Sequence, residues 1–291
     1  MSILSPVLET INCHPRDKNI VFYEPTHTYT IITDPTSKYT SVTTWNHSHF
    51  PYFNADQVIK NMMRGKNWKE GHKYWGLTAD QIKAQWASNG AAVSGAGTNM
   101  HYEIECFMNN SSIEEQYTHV QLYTHYLDRQ LSCKNSIIDT PEWQYFIKFI
   151  QEHSHFKPYR TEWTVYHEEA KLAGSIDMVY ENPDGTLSIY DWKRAKDISR
   201  INTFNKFALN KIICHMPDSN FWHYALQLNT YKKIIEDKYG KIVTDLYLVR
   251  LHPDCEDNTY ELIKLPDLKK ELNELFVERI KSIVEGIKSI G

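Results

Sequence analysis

Residues 174–193 read GSIDMVYENPDGTLSIYDWK, and this stretch decides how the surrounding chain folds. The central N-P-D-G is a strong turn signal between two runs in which polar and apolar residues alternate, so the stretch predicts a β-hairpin. Alternation places Ser175, Asp177 and Val179 on one face of the first strand. If the four turn residues form the whole loop, Glu181 pairs with Thr186.

Two carboxylates and a lysine meet at the open end of this hairpin. In the predicted register Asp191 is offset from the partner of Asp177 by one residue, and sheet twist brings both carboxylates close to Lys193. Burying such charges beside apolar residues is costly unless they are paired or bind a metal. Oxygen ligands suit Mg²⁺ or Mn²⁺. The D-x-K triplet by itself is more typical of a salt-bridge cluster on an exposed hairpin, so its context has to decide.

The remaining patterns indicate helices, then a β-rich middle, then a helix, a strand and a helix, which predicts an α/β core with a helical N-terminal lobe. Helix starts are indicated by Thr, Ser or Asp caps, and strands by short apolar runs. In the first half of the chain we predict two strands in 20–33 and helices over 54–74, from Thr78 through Trp86, and from a Thr98 cap to Met108. A helix from Thr140 to about His155 and a strand at 161–167 lead into the hairpin. After the hairpin we predict an irregular segment at 194–217, a helix from Asp218 to Tyr239, a strand at 242–251 and a helix from Asp267.

Composition excludes several classes of protein. The chain has 291 residues and a net charge of -4, which is not the basic balance of a protein that simply coats nucleic acid. None of its five cysteines, Cys133 among them, forms a C-x-x-C pair with another, so a zinc site or an iron–sulfur cluster is not expected. We expect the thiols to be reduced, which indicates an intracellular protein. The first residues lack a basic start followed by a long apolar stretch, so no signal peptide is expected, and no apolar run approaches membrane-spanning length.

With these features in place, the chain resembles the PD-(D/E)XK nuclease superfamily, especially its RecB-like and lambda-exonuclease-like branch. G-x-I-D at 174–177 and Y-D-W-K at 190–193 look like the paired core motifs of that family. Three further matches follow the family's order over residues 86–231, about half of the chain. They are W-x(11)-G-T-x-x-H-x-x-x-E (Trp86, Gly97, Thr98, His101, Glu105), a glutamate on the preceding strand (Glu162) and Q-x-x-x-Y on the following helix (Gln227, Tyr231).

The resemblance implies a central mixed β-sheet flanked by helices, with a nuclease core at 86–291 and a β/helical lobe at 1–85. It implies metal ligation by His101, Glu105 and Glu162 together with the two aspartates, one or two Mg²⁺ or Mn²⁺ ions, and catalytic roles for Asp177, Asp191, Lys193, Gln227 and Tyr231. Glu105 lies four residues after His101, so it is equally well explained as an orienting partner of the histidine. Gln227 and Tyr231 are equally typical of core packing.

A basic segment begins at the hairpin lysine. Residues 193–211 hold six basic side chains against the single acid Asp197, with Phe204 and Phe207 among them. Phosphate contacts combined with aromatic side chains are typical of strand binding, although a solvated loop has the same composition. The residues expected to bind DNA are Arg194, Lys196, Arg200 and Lys206. A second basic stretch at 60–73 is a candidate for the opposite wall of a DNA channel.

These observations predict a Mg²⁺-dependent DNA exonuclease acting in recombination, repair or the processing of replication ends. The expected substrate is single-stranded DNA or the end of a duplex. Two alternatives remain open at this point. The same metal site would serve an endonuclease that cuts flaps or RNA, and the same fold would serve a non-catalytic nucleic-acid-binding protein. No membrane association is expected.

Overall fold

The computed structural model of the protein describes residues 6–130 and 139–288. Cys133, one of the cysteines expected to be reduced, lies outside these residues. The chain divides into two compact units, Met1–Pro51 with His101–Gly291 and Tyr52–Met100. The lobe boundary predicted between residues 85 and 86 stays a prediction. Within the described ranges, no helix is both long enough and apolar enough to cross a membrane.

The larger unit is built on a mixed six-stranded sheet, and a two-stranded hairpin precedes that sheet in the chain. The strands are β1 (Ile20–Tyr23), β2 (Thr28–Ile31), β3 (Thr40–Ser41), β4 (Lys157–His167), β5 (Leu172–Glu181), β6 (Leu187–Lys193), β7 (Val243–Arg250) and β8 (Glu261–Lys264). Strand β5 pairs antiparallel with both β4 and β6, and its first residues also pair with β3 in parallel. Strand β7 runs parallel to β6 and antiparallel to β8. The parallel pair requires a crossover connection between β6 and β7.

Helices cover both faces of the sheet in this unit. The helices of the whole described chain are α1 (Val7–Ile11), α2 (Val42–His47), α3 (Ala55–Met63), α4 (Ala79–Met108), α5 (His119–Gln130), α6 (Pro141–Glu152), α7 (Asn220–Lys238) and α8 (Lys269–Lys288). Helix α7 is the crossover, and its buried side chains share one core with Val179 and Ile189 of the hairpin. On the other face, Phe146 and Phe149 of α6 make edge contacts with Trp192. The predicted α/β class and the mixed sheet flanked by helices are therefore confirmed.

The hairpin forms as predicted, but the predicted register is wrong by one residue. Glu181 pairs with Leu187, not with Thr186, and Met178 pairs with Tyr190. The loop has five residues because Gly185 adopts a left-handed conformation at φ 79°, which adds one residue to the turn. The N–H of Asn182 then donates to the carbonyl of Thr186. A one-residue shift reverses the face of every side chain, so the observed register decides where the acids lie.

Two helix predictions are corrected. The helix expected over 54–74 ends at Met63, where the chain turns through Gly65. The Gly- and Ser-rich stretch before residue 98 does not interrupt α4, because single small residues cost only about 1 kcal/mol each in a helix. Thr98 is therefore not a helix cap, and its hydroxyl donates to the carbonyl of Ser94 one turn earlier (3.1 Å). The Thr78 capping box is confirmed by reciprocal bonds with Gln81.

Candidate active site

Three acidic residues form a row across the middle of the sheet. Thr161 and Trp163 of β4 pair with Met178 and Ile176 of β5, which sets Glu162 opposite Asp177. The Met178–Tyr190 pair likewise sets Asp191 of β6 opposite Asp177. All three side chains belong to neighbouring strands at one level of the sheet. The row exists because the hairpin register differs by one residue from the register that the turn sequence predicts.

Glu162 has an unusual backbone conformation for a residue inside a strand. Its φ of 42° lies in the left-handed region, which costs a non-glycine residue about 1–3 kcal/mol. The hydroxyl of Ser175 donates to Glu162 Oε2 (2.9 Å). Burial, with the nearby charge of Asp177 second, raises the pKa of the Glu162 carboxyl to about 8. The backbone conformation of Glu162 is therefore unfavourable for a non-glycine residue, and its surroundings are unfavourable for an ionised carboxylate.

Asp177 is held between a backbone N–H and an imidazole. Its Oδ2 accepts a hydrogen bond from the N–H of Trp192 (3.1 Å) and lies 3.4 Å from Nδ1 of His101. The other imidazole nitrogen, Nε2, is 2.9 Å from the carbonyl oxygen of Trp192. A carbonyl can only accept, so Nε2 of His101 carries a proton, and the other ring nitrogen, Nδ1, faces Asp177. This is the orientation that a metal-binding histidine needs.

Asp191 and Lys193 form a buried ion pair beside this cluster. Lys193 Nζ lies 2.5 Å from Asp191 Oδ2, and their side chains are 18% and 4% exposed. Burial and the charge of Asp177 raise the pKa of Asp191 to about 6, although Lys193 opposes this rise. Burial alone would lower the pKa of Lys193, but the two aspartates outweigh it and raise that pKa. The ring of Tyr224 lies 4.6 Å from the ammonium.

Three of these residues lie close enough together that they could hold a divalent cation. One ring nitrogen of His101 and one oxygen each of Glu162 and Asp177 all lie within 4.8 Å of one another. Glu105, one turn after His101 on α4, is half-buried, and burial and then Glu9 raise its pKa. Around this point four carboxylates therefore face one ammonium, and buried negative charge in such excess takes up protons or a cation. The residues fit a hard metal ion with mixed oxygen and nitrogen ligands.

Helix α7 brings the predicted amide and phenol to the same region. Gln227 Nε2 donates to the hydroxyls of Thr43 (3.2 Å) and Tyr231 (3.4 Å). Tyr231 is buried against Gly174, where a Cβ atom would stand 2.8 Å from Cε1 of the ring. Gly174 is thus required by close approach of β5 to α7. Burial raises the pKa of Tyr231 well above its ordinary value, so the phenol stays protonated and able to donate.

Sequence reasoning missed Tyr29 of β2. Its ring stacks on Phe22 of β1 (4.6 Å between centroids). Burial, with the charge of Glu162 second, raises the pKa of Tyr29 to about 12, which indicates that the phenol lies near the acidic row. The alternation in T-Y-T-I shows that Tyr29 and Ile31 share a face of the strand, but alternation in a short strand does not reveal what that face contacts.

The four residues expected to bind DNA differ in availability. Arg194 is mostly buried, with Nε 2.7 Å from Glu142 Oε1. Lys196 is 80% exposed and loosely paired with Asp254 (3.3 Å). The guanidinium of Arg200 lies 4.0 Å from the ring centroid of Phe221, and Lys206 is exposed. Three of the four side chains are therefore accessible to a ligand, whereas Arg194 has an internal partner.

The remaining motif residues belong to the smaller unit. Trp86 packs there against Tyr74 and Phe53, with ring centroids 6.0 and 6.3 Å apart. Gly97 and Thr98 follow on the same helix within residues 52–100. The basic side chains of 60–73 are exposed in this unit. Their predicted role as a channel wall stays a prediction.

Comparison with known proteins gives no independent assignment. No protein-family model matches the chain, and no curated protein is significantly similar to it. The functional argument therefore depends on the geometry of the acidic row and on the motifs that its residues form.

Proposed function

We propose that this protein is a Mg²⁺-dependent nuclease of the PD-(D/E)XK type, acting on DNA as an exonuclease. The observation that carries the proposal is the row Glu162–Asp177–Asp191, flanked by His101 and Lys193. The antiparallel β5–β6 hairpin, followed by α7 and the parallel strand β7, agrees with the core that the sequence motifs suggest. The close approach of His101, Glu162 and Asp177, with the Asp191–Lys193 pair beside them, supports the proposal.

His101, Glu162 and Asp177 would hold the ion, with Asp191 and Glu105 available for further coordination or for ligands that reach it through water. When bound, Mg²⁺ or Mn²⁺ supplies an acidified water and neutralises charge on a phosphate. The hydrogen bonds from the Trp192 N–H to Asp177 and from the Ser175 hydroxyl to Glu162 would orient these carboxylates before a ligand binds. Such preorganisation reduces the reorganisation that the reaction would otherwise require.

Lys193 provides the positive charge that phosphodiester hydrolysis needs on the protein side. Its ammonium is kept protonated by Asp191 and Asp177, so it acts as a hydrogen-bond donor and a fixed charge. Gln227 lies one turn before Tyr231 on α7, and its amide can orient a water or a phosphate oxygen through the donor that Thr43 and Tyr231 now share. These roles leave proton acceptance to the carboxylates.

The test is cleavage of end-labelled DNA with and without Mg²⁺. Wild type should degrade linear DNA only with the metal, and Asp191→Ala and Lys193→Ala should each lose at least about 100-fold of the rate, the usual effect of removing an electrostatic group from such a site. Asp128→Asn, an exposed aspartate of α5, is the matched control and should retain full activity.

Substrate form separates the remaining alternatives. An exonuclease leaves circular single-stranded DNA intact, whereas an endonuclease linearises it. Retained cleavage in Asp191→Ala would refute the mechanism. A wild type that binds DNA but never cuts it would make the protein a binding module.

A further inference from the structure

The segment that follows β6 exposes an unusual amount of apolar surface. We call residues 199–211 the basic loop. Ile201, Phe204, Phe207 and Leu209 are 68%, 82%, 45% and 66% exposed. Large apolar side chains clustered in this way on a surface commonly mark a binding site. In the same stretch three basic side chains occur and no acidic one.

The tip of the basic loop is held in place by its own hydrogen bonds. Oδ1 of Asn202 accepts from the backbone N–H groups of Phe204 (2.8 Å) and Lys206 (3.3 Å). Nδ2 of the same side chain donates to the carbonyl of Asp218 (2.5 Å). Asn205 completes the turn with a φ of 52°. The exposed ring of Phe204 is therefore presented by a defined turn, which lowers the entropy lost on binding.

The base of the loop is fastened to the helix that serves the acidic row. The guanidinium of Arg200 lies over Phe221, and the indole N–H of Trp222 donates to the carbonyl of Arg200 (3.1 Å). One turn further along α7, Tyr224 contacts the ammonium of Lys193. A ligand on the basic loop is thus linked through the first turns of α7 to the candidate active site.

The combination of charges and rings selects one kind of occupant. Arg200, Lys206 and Lys211 are exposed cations, which suit a phosphate backbone. Phe204 offers an open aromatic face, and a base can stack on that face only when it is unpaired. A paired base inside a duplex has both faces covered by its neighbours. The surface therefore fits a single strand better than it fits a duplex.

From these observations we infer that the basic loop binds an unpaired nucleic-acid strand, with Phe204 stacking on a base and Arg200, Lys206 and Lys211 contacting its phosphates. The inference rests on the proposed nuclease function and deepens it, because it names single-stranded DNA or a frayed end as the substrate form. Asn202 is a positioning residue that sets the direction of the Phe204 ring.

Binding of a fluorescent oligothymidylate to the full chain, followed by anisotropy in EDTA, tests the inference without hydrolysis. Phe204→Ala should weaken binding about 5- to 150-fold, the range for loss of one stacked base, and leave the salt dependence unchanged. Phe204→Trp should restore affinity to near wild type. Lys206→Ala should instead lower the slope of log K against log salt by about 0.7. Ile201→Ala should weaken binding, whereas Ile242→Ala, 64% exposed elsewhere, is the matched control.

Several results would overturn the inference. Equal affinity of Phe204→Ala and wild type removes the stacking role, and equal losses on blunt duplex and single strand remove the preference for unpaired bases. A change of oligomeric state in Phe204→Ala by light scattering, without a change in DNA affinity, assigns the surface to a second copy of the chain. The proposed nuclease function fails separately: a wild type that shows Phe204-dependent binding but no Mg²⁺-dependent cleavage refutes the enzyme and leaves the loop inference standing.

Discussion

Replacing Glu162 by Gln should stabilise the protein when no metal is bound. The pKa of this carboxyl is about 8 in the fold, against an ordinary value of 4.5. Each pKa unit corresponds to about 1.4 kcal/mol, so the fold opposes the ionised form by an upper limit of about 5 kcal/mol. At pH 7 the unfolded chain ionises this group and the folded chain does not, which costs the folded state about 3 kcal/mol. Glutamine keeps the shape and removes the charge.

The sign follows from the direction of the pKa change. Because the folded pKa of Glu162 is raised, its contribution to stability is fully present below the unfolded value near 4.5 and is lost as pH rises towards 8. The difference between Glu162→Gln and wild type should therefore widen by up to about 1.4 kcal/mol per pH unit between pH 5 and pH 8, and then stay level.

Urea unfolding at pH 5, 6, 7 and 8 in EDTA measures this difference directly. Glu274→Gln, an exposed position of α8, is the control and should show no pH-dependent gain. Mg²⁺ should reduce the advantage of Glu162→Gln, since the ion stabilises only the carboxylate form. If Glu162→Gln is less stable than wild type at pH 8, or if its advantage does not depend on pH, the electrostatic reasoning about the acidic row is refuted.

Three further predictions concern the same region. Binding of Mn²⁺ to wild type should release protons, and if one proton leaves Glu162 the affinity for Mn²⁺ should rise by about tenfold per pH unit from pH 6 to pH 8. Calorimetry in buffers of different ionisation enthalpy measures the proton release and the affinity, and an affinity that does not change with pH would contradict this prediction. Gly174→Ala should lose about 1–3 kcal/mol of stability because its Cβ would press on Tyr231, and an unchanged urea midpoint would contradict the close approach. Thr140→Ala should lose about 1 kcal/mol with the cap of α6, measured by thermal unfolding, with an effect near zero counting against the cap.

Local patterns were enough to predict most elements of the larger unit. Alternation and turn residues predicted the hairpin, the apolar run at 242–251 predicted β7, and the Thr140 cap predicted α6. Strand β3 went unpredicted because two residues are too few for a periodic signal, and β8 because its four residues, E-L-I-K, do not alternate between polar and apolar. The prediction wrongly divided helix α4 in two because it treated each glycine as a helix end. The unfavourable helix propensity of a few glycines is small beside the favourable contributions of the other residues in a 30-residue helix.

The candidate site was predicted in part because its motifs lie in order along the chain. The hairpin predicted that Asp177 and Asp191 lie close together, although the predicted register places them on opposite faces of the sheet. In the structure the left-handed Gly185 lengthens the turn by one residue, and both aspartates then lie on the same face. The positive φ of Glu162 and the approach of Tyr29 arise from tertiary packing between distant segments. No local pattern in the sequence encodes a contact of that kind.

The five-residue turn at 182–186 also restricts insertions and deletions at this point of the chain. Surface turns usually tolerate insertions and deletions of single residues. Here a gain or loss of one residue would move β6 by one position against β5, and Asp191 would exchange places with a side chain that packs on α6. We expect most substitutions at the exposed Pro183 to leave that register unchanged. The geometry of the acidic row therefore depends on the length of this turn more than on its composition.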